Sequence, residues 1–172
     1  MEDLRQNKRK LTYILLIIYS IILTWIIVFK MQFSMEYLPY IRSINLIPFA
    51  ESVIVNEKIY LGEIFDNLVA FIPIGIYIAM LWKDEKLYKK IIPILSLTLI
   101  YEILQYVLHI GATDITDVIM NTLGGILGIA IINLLYKIFK NNNKVDNVLN
   151  ILATFCTILV VVLVVTLIIV NL

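Results

Sequence analysis

The sequence predicts an all-α polytopic membrane protein: a bundle of about five transmembrane helices, N-terminus cytoplasmic and C-terminus extracellular. Three observations carry this prediction. Hydrophobic residues make up 61% of the chain and mean hydropathy is +0.94. Charged residues are 16%, against about 25% in an ordinary soluble domain. Five apolar runs are each long enough to cross a hydrocarbon layer about 30 Å thick, and basic residues collect on alternate connections. A soluble chain of 172 residues could not hide so much apolar surface. The whole of 1–172 reads as one membrane domain, with a core at about 42–132 and peripheral first and last spans.

The first run, 11–29, follows a basic start with Arg5, Lys8, Arg9 and Lys10. This resembles a signal-peptide n-region, but no small-x-small cleavage pattern follows and the run has spanning length, so an uncleaved span is expected. A long connection, 30–65, leads to a span at 66–82, where Pro73 should kink the helix beside Asn67 and Gly75. A short basic loop, 83–90, precedes the span at 91–108, with Pro93 expected in a first turn that tolerates proline. A tight turn at 109–116 leads into 117–136. An Asn-rich connection, 137–147, then reaches the last span, 148–170. That last run is β-branched (Val160, Val161, Val162, Val164, Val165) and should be bathed in lipid, while the Gly, Pro, Asn, Asp and Glu of spans two to four should form the packed interior. The single cysteine, Cys156, excludes an intramolecular disulfide and a cysteine metal cluster, and reads as a small hydrophobe.

Orientation follows from the basic residues. Arg5, Lys8, Arg9, Lys10, Lys83, Lys86, Lys89, Lys90, Lys137, Lys140 and Lys144 fall on one side; only Lys30, Arg42 and Lys58 fall on the other. The acids run the opposite way: Glu36, Glu51, Glu57, Glu63, Asp66, Asp114 and Asp117 belong to the outer side, with Glu102 in the outer half of span three.

Acids inside apolar spans are costly, about 2.5–3.5 kcal/mol for an Asp at a helix centre. Glu102, Gln105 and His109 are spaced to share one helical face, as are Asp114, Asp117, Asn121, Gly124 and Gly128. The tight turn makes these helices antiparallel neighbours, and Gly124-x-x-x-Gly128 permits close approach, so the two stripes are expected to face each other across a recess open to the exterior. The outer segment Arg42 to Phe49, including Asn45, is expected to act as a lid or re-entrant piece.

Plainer readings exist for each residue. Glu102 could snorkel, or sit protonated against Gln105 or Asn121. Asp114 fits a helix N-cap and Asp117 a first-turn acid favoured by the helix dipole. Gly124, Gly125 and Gly128, with Pro73 and Gly75, suit packing. His109 suits an interfacial polar tip, and Tyr13, Tyr19, Trp25, Trp82 and Tyr136 suit core or interface-belt positions.

The order Asn45-Leu-Ile-Pro-Phe49, Asn67 through Gly75, Glu102-x-x-Gln105, then Asp114-x-x-Asp117-x-x-x-Asn121-x-x-Gly124-x-x-x-Gly128 resembles the VanZ-like family. That family takes its name from a bacterial membrane protein associated with teicoplanin resistance. The resemblance implies a multi-pass protein of the bacterial cytoplasmic membrane that lowers sensitivity to lipoglycopeptides. It maps the family's recurrent polar positions onto Asn45, Asn67, Glu102, Gln105, Asp114, Asp117 and Asn121. Many members carry a basic residue shortly before the first Asp. This chain has Gly111-Ala112-Thr113 there, so any anion contact would fall to His109 or Arg42.

Four functions fit these residues. An outer pocket of acids and amides suits binding of a lipid headgroup, an envelope precursor or the lipoglycopeptide itself. An intramembrane enzyme acting on a lipid or isoprenoid-linked head group would use the carboxylates as acid and base, or hold a divalent cation through Asp114, Asp117 and Glu102. No certain cofactor is implied, and neither a nucleophile arrangement nor a complete CDP-alcohol phosphatidyltransferase motif is present. A transporter is disfavoured by the short chain and the lack of an inverted repeat. The acids could also be structural, holding spans three and four in register. Membrane lipids are the expected partners, and no nucleic acid is expected. Binding is preferred.

Overall fold

In a computed structural model of the protein the described residues are 2–32, 36, 38, 40–49, 54–55, 58–59 and 62–171. Helix α1 (Glu2–Ile27) is followed by strands β1 (Ile41–Asn45), β2 (Ile54–Val55) and β3 (Lys58–Ile59). Helices α2 (Gly62–Leu81) and α3 (Leu87–Leu108) come next, then β4 (Ile110–Asp114), α4 (Ile115–Phe139) and α5 (Asn142–Asn171). Each helix contains a stretch long and apolar enough to cross a membrane, so the chain has the predicted all-α polytopic class. Glu51 and Glu57 lie outside the described residues, as does the side chain of Glu63.

The helices overrun the apolar runs, because hydropathy marks the lipid boundary while polar helix formers extend the coil beyond it. α3 begins at Leu87 and takes in Lys89 and Lys90. Pro93 therefore stands in the second turn, not the first, and removes the N–H that would serve the Lys89 carbonyl. The connection expected at 137–147 shrinks likewise. Lys140 turns left-handed (φ 51°, ψ 18°), its N–H closes on the Tyr136 carbonyl at 3.0 Å, and α5 starts at Asn142.

Pro73 lies inside α2, which runs unbroken across it. Its ring deprives the Val69 carbonyl of a donor, and the Tyr19 hydroxyl donates to the adjacent Ala70 carbonyl at 2.8 Å. That bond joins α1 to α2 where proline disturbs the ladder.

The tightest contact in the bundle is between α2 and α4, which run parallel because α3 returns the chain between them. A β-carbon on Gly124 would stand 2.0 Å from the Leu68 carbonyl oxygen, one on Gly128 2.1 Å from that of Ile72, and one on Gly75 1.9 Å from that of Gly125. The Gly124/Gly128 stripe is thus seated on α2, not on α3 as the short turn suggested. Of the three α4 glycines, Gly125 looks toward α3, where a β-carbon would meet Ile94 at 2.7 Å. Around this seam the buried apolar core draws Leu23 from α1 and Val28 just past its end, Phe71 and Ile74 from α2, Ile94 and Tyr101 from α3, and Ile129 and Ile132 from α4. α5 exposes Phe155, Val162 and most of its apolar length. It is tied to α1 by Thr12 and Asn150, and to α4 by Tyr136 and Asp146.

The expected tight turn at 109–116 contains a strand. β4 pairs in parallel with β1, from Ile41 opposite Ile110 to Asn45 opposite Asp114. Non-helical backbone at the end of a membrane bundle needs internal partners; each of these strands supplies them for the other.

Candidate functional site

The paired strands close the end of the bundle where α3 stops and α4 starts. Asp114, last residue of β4, is the α4 N-cap: its Oδ1 accepts the Thr116 N–H at 2.7 Å. Its Oδ2 accepts from Asn45 Nδ2 at 3.2 Å, and Asn45 Oδ1 takes the Ile47 N–H at 3.0 Å. Thr116 Oγ1 in turn accepts the Phe49 N–H at 2.9 Å. The segment expected as a lid is therefore stapled across the first turn of α4, as a strand and turn. Asp117 adds an acid to that turn, favoured by the dipole.

Glu102 reaches this cap from α3. Its Oε2 accepts the Asp114 N–H at 2.9 Å, and its backbone carbonyl accepts from Thr113 Oγ1 at 3.1 Å. A carboxylate, a strand and a helix N-cap are thus joined in one chain of bonds running from α3 through β4 to β1. Other ties surround it. Asn67 Nδ2 donates to Asp117 Oδ1 at 2.7 Å, fixing the start of α2 to α4. Asn121 Nδ2 donates to Thr98 Oγ1 at 2.8 Å, fixing α4 to α3. Gln105 Nε2 donates to the Ile27 carbonyl at 3.1 Å, serving a carbonyl at the end of α1 that has no helical donor.

The groups are enclosed. Glu102, Gln105 and Asn121 are 2%, 5% and 0% exposed, and Asn45 is buried beside them. The outward-open recess expected from the sequence is here a closed polar seam, because β4 and the 45–49 segment cover the space between the helix ends. Among the described residues no three His, Cys, Asp or Glu side chains form a set able to hold a metal ion. Glu102, Asp114 and Asp117 meet backbone amides and Asn donors instead.

Two expected members stand apart. His109 is the left-handed C-cap of α3 (φ 58°, ψ 34°), so it leaves the face shared by Glu102 and Gln105, and its ring stacks on Tyr40 at 5.2 Å. Arg42 is exposed, its guanidinium 4.2 Å from the centre of the Tyr106 ring. Thr98, Thr113 and Thr116 join the seam although sequence reasoning passed over them. Thr98 sits one helical turn before Glu102, a spacing that signals a shared face.

Among the described residues, three side-chain oxygens in the seam are buried without a donor: Glu102 Oε1, Gln105 Oε1 and Asn121 Oδ1. An unmet acceptor in such surroundings costs about 1–3 kcal/mol, more where it is charged. The two amide oxygens can only accept, and Glu102 Oε1 accepts when its carboxyl is ionised; in that state what would complete them is a donor, such as water, hydroxyl, ammonium or amide.

Membrane-length helices, a glycine-packed parallel pair and a closed polar seam define a polytopic membrane protein whose intramembrane polar groups join its helices. The chain belongs to the VanZ/LLP1 family, whose sequence model matches residues 16–140, a stretch that holds every element of the seam. It is similar to Protein VanZ of Enterococcus faecium, 38% identical over 125 residues that make up 72% of this chain and 74% of that protein. No solved structure matches the chain.

Proposed function

We propose that this protein lowers the sensitivity of a bacterial cell to lipoglycopeptides such as teicoplanin, acting from the cytoplasmic membrane with its N-terminus inside. It does so by holding a hydrogen-bond donor of a membrane lipid or cell-envelope precursor, or of the drug itself, in the seam between α3 and α4. The observation carrying this reading is the set of three buried, unmet acceptors, Glu102 Oε1, Gln105 Oε1 and Asn121 Oδ1. A ligand donor that reaches any one of these oxygens removes its desolvation penalty. The segment above the seam exposes Ile44, Leu46, Ile47 and Phe49, side chains suited to lying against lipid, and a lipid-borne head group enters the closed seam only when this segment lifts away.

Glu102→Gln tests the reading, since it keeps shape and exchanges an acceptor for a donor. At matched membrane abundance and unchanged melting temperature, cells expressing the variant should return to the teicoplanin sensitivity of cells lacking the protein. Full protection by Glu102→Gln would overturn the proposal.

A further inference from the structure

At the opposite end of the bundle, a cavity of about 720 Å³ opens between α1, the α2–α3 loop, α3 and α5. Nothing in the seam or the proposed function uses it. We propose that it binds the phosphate of an anionic membrane lipid.

Its walls carry four cations, and two are already matched. Lys83 pairs with Asp146, and Lys89 with Glu85 at 2.7 Å. Lys8 and Arg9 of α1 also line the cavity and have no carboxylate partner among the described residues; the Arg9 guanidinium only overlies the Tyr13 ring, at 5.9 Å. The remaining acid of the wall, Asp84, offsets one of them, so the space keeps a positive excess. The start of α3 adds to it. Lys86 at the N-cap supplies no side-chain bond to the first-turn amides, leaving the positive end of the helix uncapped beside the cavity.

Position selects a lipid. The lining includes Gln6, where the first span begins, and Leu81, where the second ends, with the third starting at Leu87. The cavity therefore lies at the hydrocarbon boundary, the depth of lipid phosphates, and basic pockets between helix ends favour anionic head groups there. Its inner end is closed by the buried pair Thr12 and Asn150, bonded to each other at 2.9 and 3.1 Å.

The test is binding of short-chain phosphatidylglycerol, phosphatidylcholine or inorganic phosphate to the purified full chain in neutral detergent, read by native mass spectrometry. Phosphatidylglycerol should bind, and the other two should not compete with it. A cation near an anionic head group is worth about fivefold in affinity, so Lys8→Gln with Arg9→Gln should weaken binding by about 25-fold. Lys10→Gln with Lys137→Gln removes the same charge outside the cavity wall and should change binding less than about threefold. Both wall residues are exposed, so folding should survive; if the double variant melts early, Lys8→Gln alone should still show about fivefold. Equal binding of the two lipids, equal loss in both variant pairs, or saturation by inorganic phosphate alone would overturn the proposal.

Discussion

Replacing Gly124 by alanine places a methyl group 2.0 Å from the Leu68 carbonyl oxygen, where real β-carbons essentially never approach closer than 3.0 Å. The obstacle is α2 backbone, which cannot rotate aside, so α2 and α4 must separate by about 1 Å. Overpacking of this kind costs about 1–3 kcal/mol, and a backbone obstacle puts it at the upper end. Alanine returns up to about 1 kcal/mol in helix propensity. The net loss should be about 2 kcal/mol, or about 4–8 °C in melting temperature for a chain of this length. Gly128→Ala meets the Ile72 carbonyl at 2.1 Å and should behave alike. The double variant should lose less than the sum, because one separation relieves both clashes. The control is Gly111→Ala, whose new methyl would lie 3.5 Å from the Gln105 side chain and should shift melting by less than about 0.5 kcal/mol. Thermal melts of purified protein in one detergent decide the matter. An unchanged or raised melting temperature for Gly124→Ala would refute the close α2–α4 contact.

Two further outcomes follow from the hydrogen bonds. Asn67→Ala and Asp117→Asn should each lose about 1.5–3 kcal/mol, the range for bonds to a charged group, and a double-mutant cycle should show coupling above about 0.5 kcal/mol; strictly additive losses would break the assigned pair. Thr12→Val or Asn150→Leu alone strands a buried partner, at about 1–3 kcal/mol, whereas the two together should lose less than the sum of the singles; chemical denaturation of the three variants reads this directly.

The five helices were legible because apolar length alone marks them; their true ends were not, since Lys89, Lys90, Asn142 and Asn143 are polar yet helical. Asp114 as N-cap and Asp117 as first-turn acid were also readable, since both follow from the chemistry of helix starts. The partner of the glycine stripe was not. Chain proximity points from α4 to α3, but which helix the glycines meet depends on rotation of α4 about its axis, and Gly75 on α2 supplies the matching notch. The β1–β4 ladder escaped notice for a similar reason: five-residue strands far apart in sequence carry little periodicity, and only the tertiary arrangement pairs Asn45 with Asp114. His109 was misplaced because helical spacing stops meaning anything once the residue turns left-handed.

A cryo-EM map of protein purified from native membranes bears most directly on the seam. Density from a lipid, precursor or drug head group should stand within hydrogen-bond reach of Glu102 Oε1, with the Oε2 bond to the Asp114 amide intact. A map in which Glu102 turns out to lipid, or in which protein donors fill all three unmet acceptors, would contradict the account.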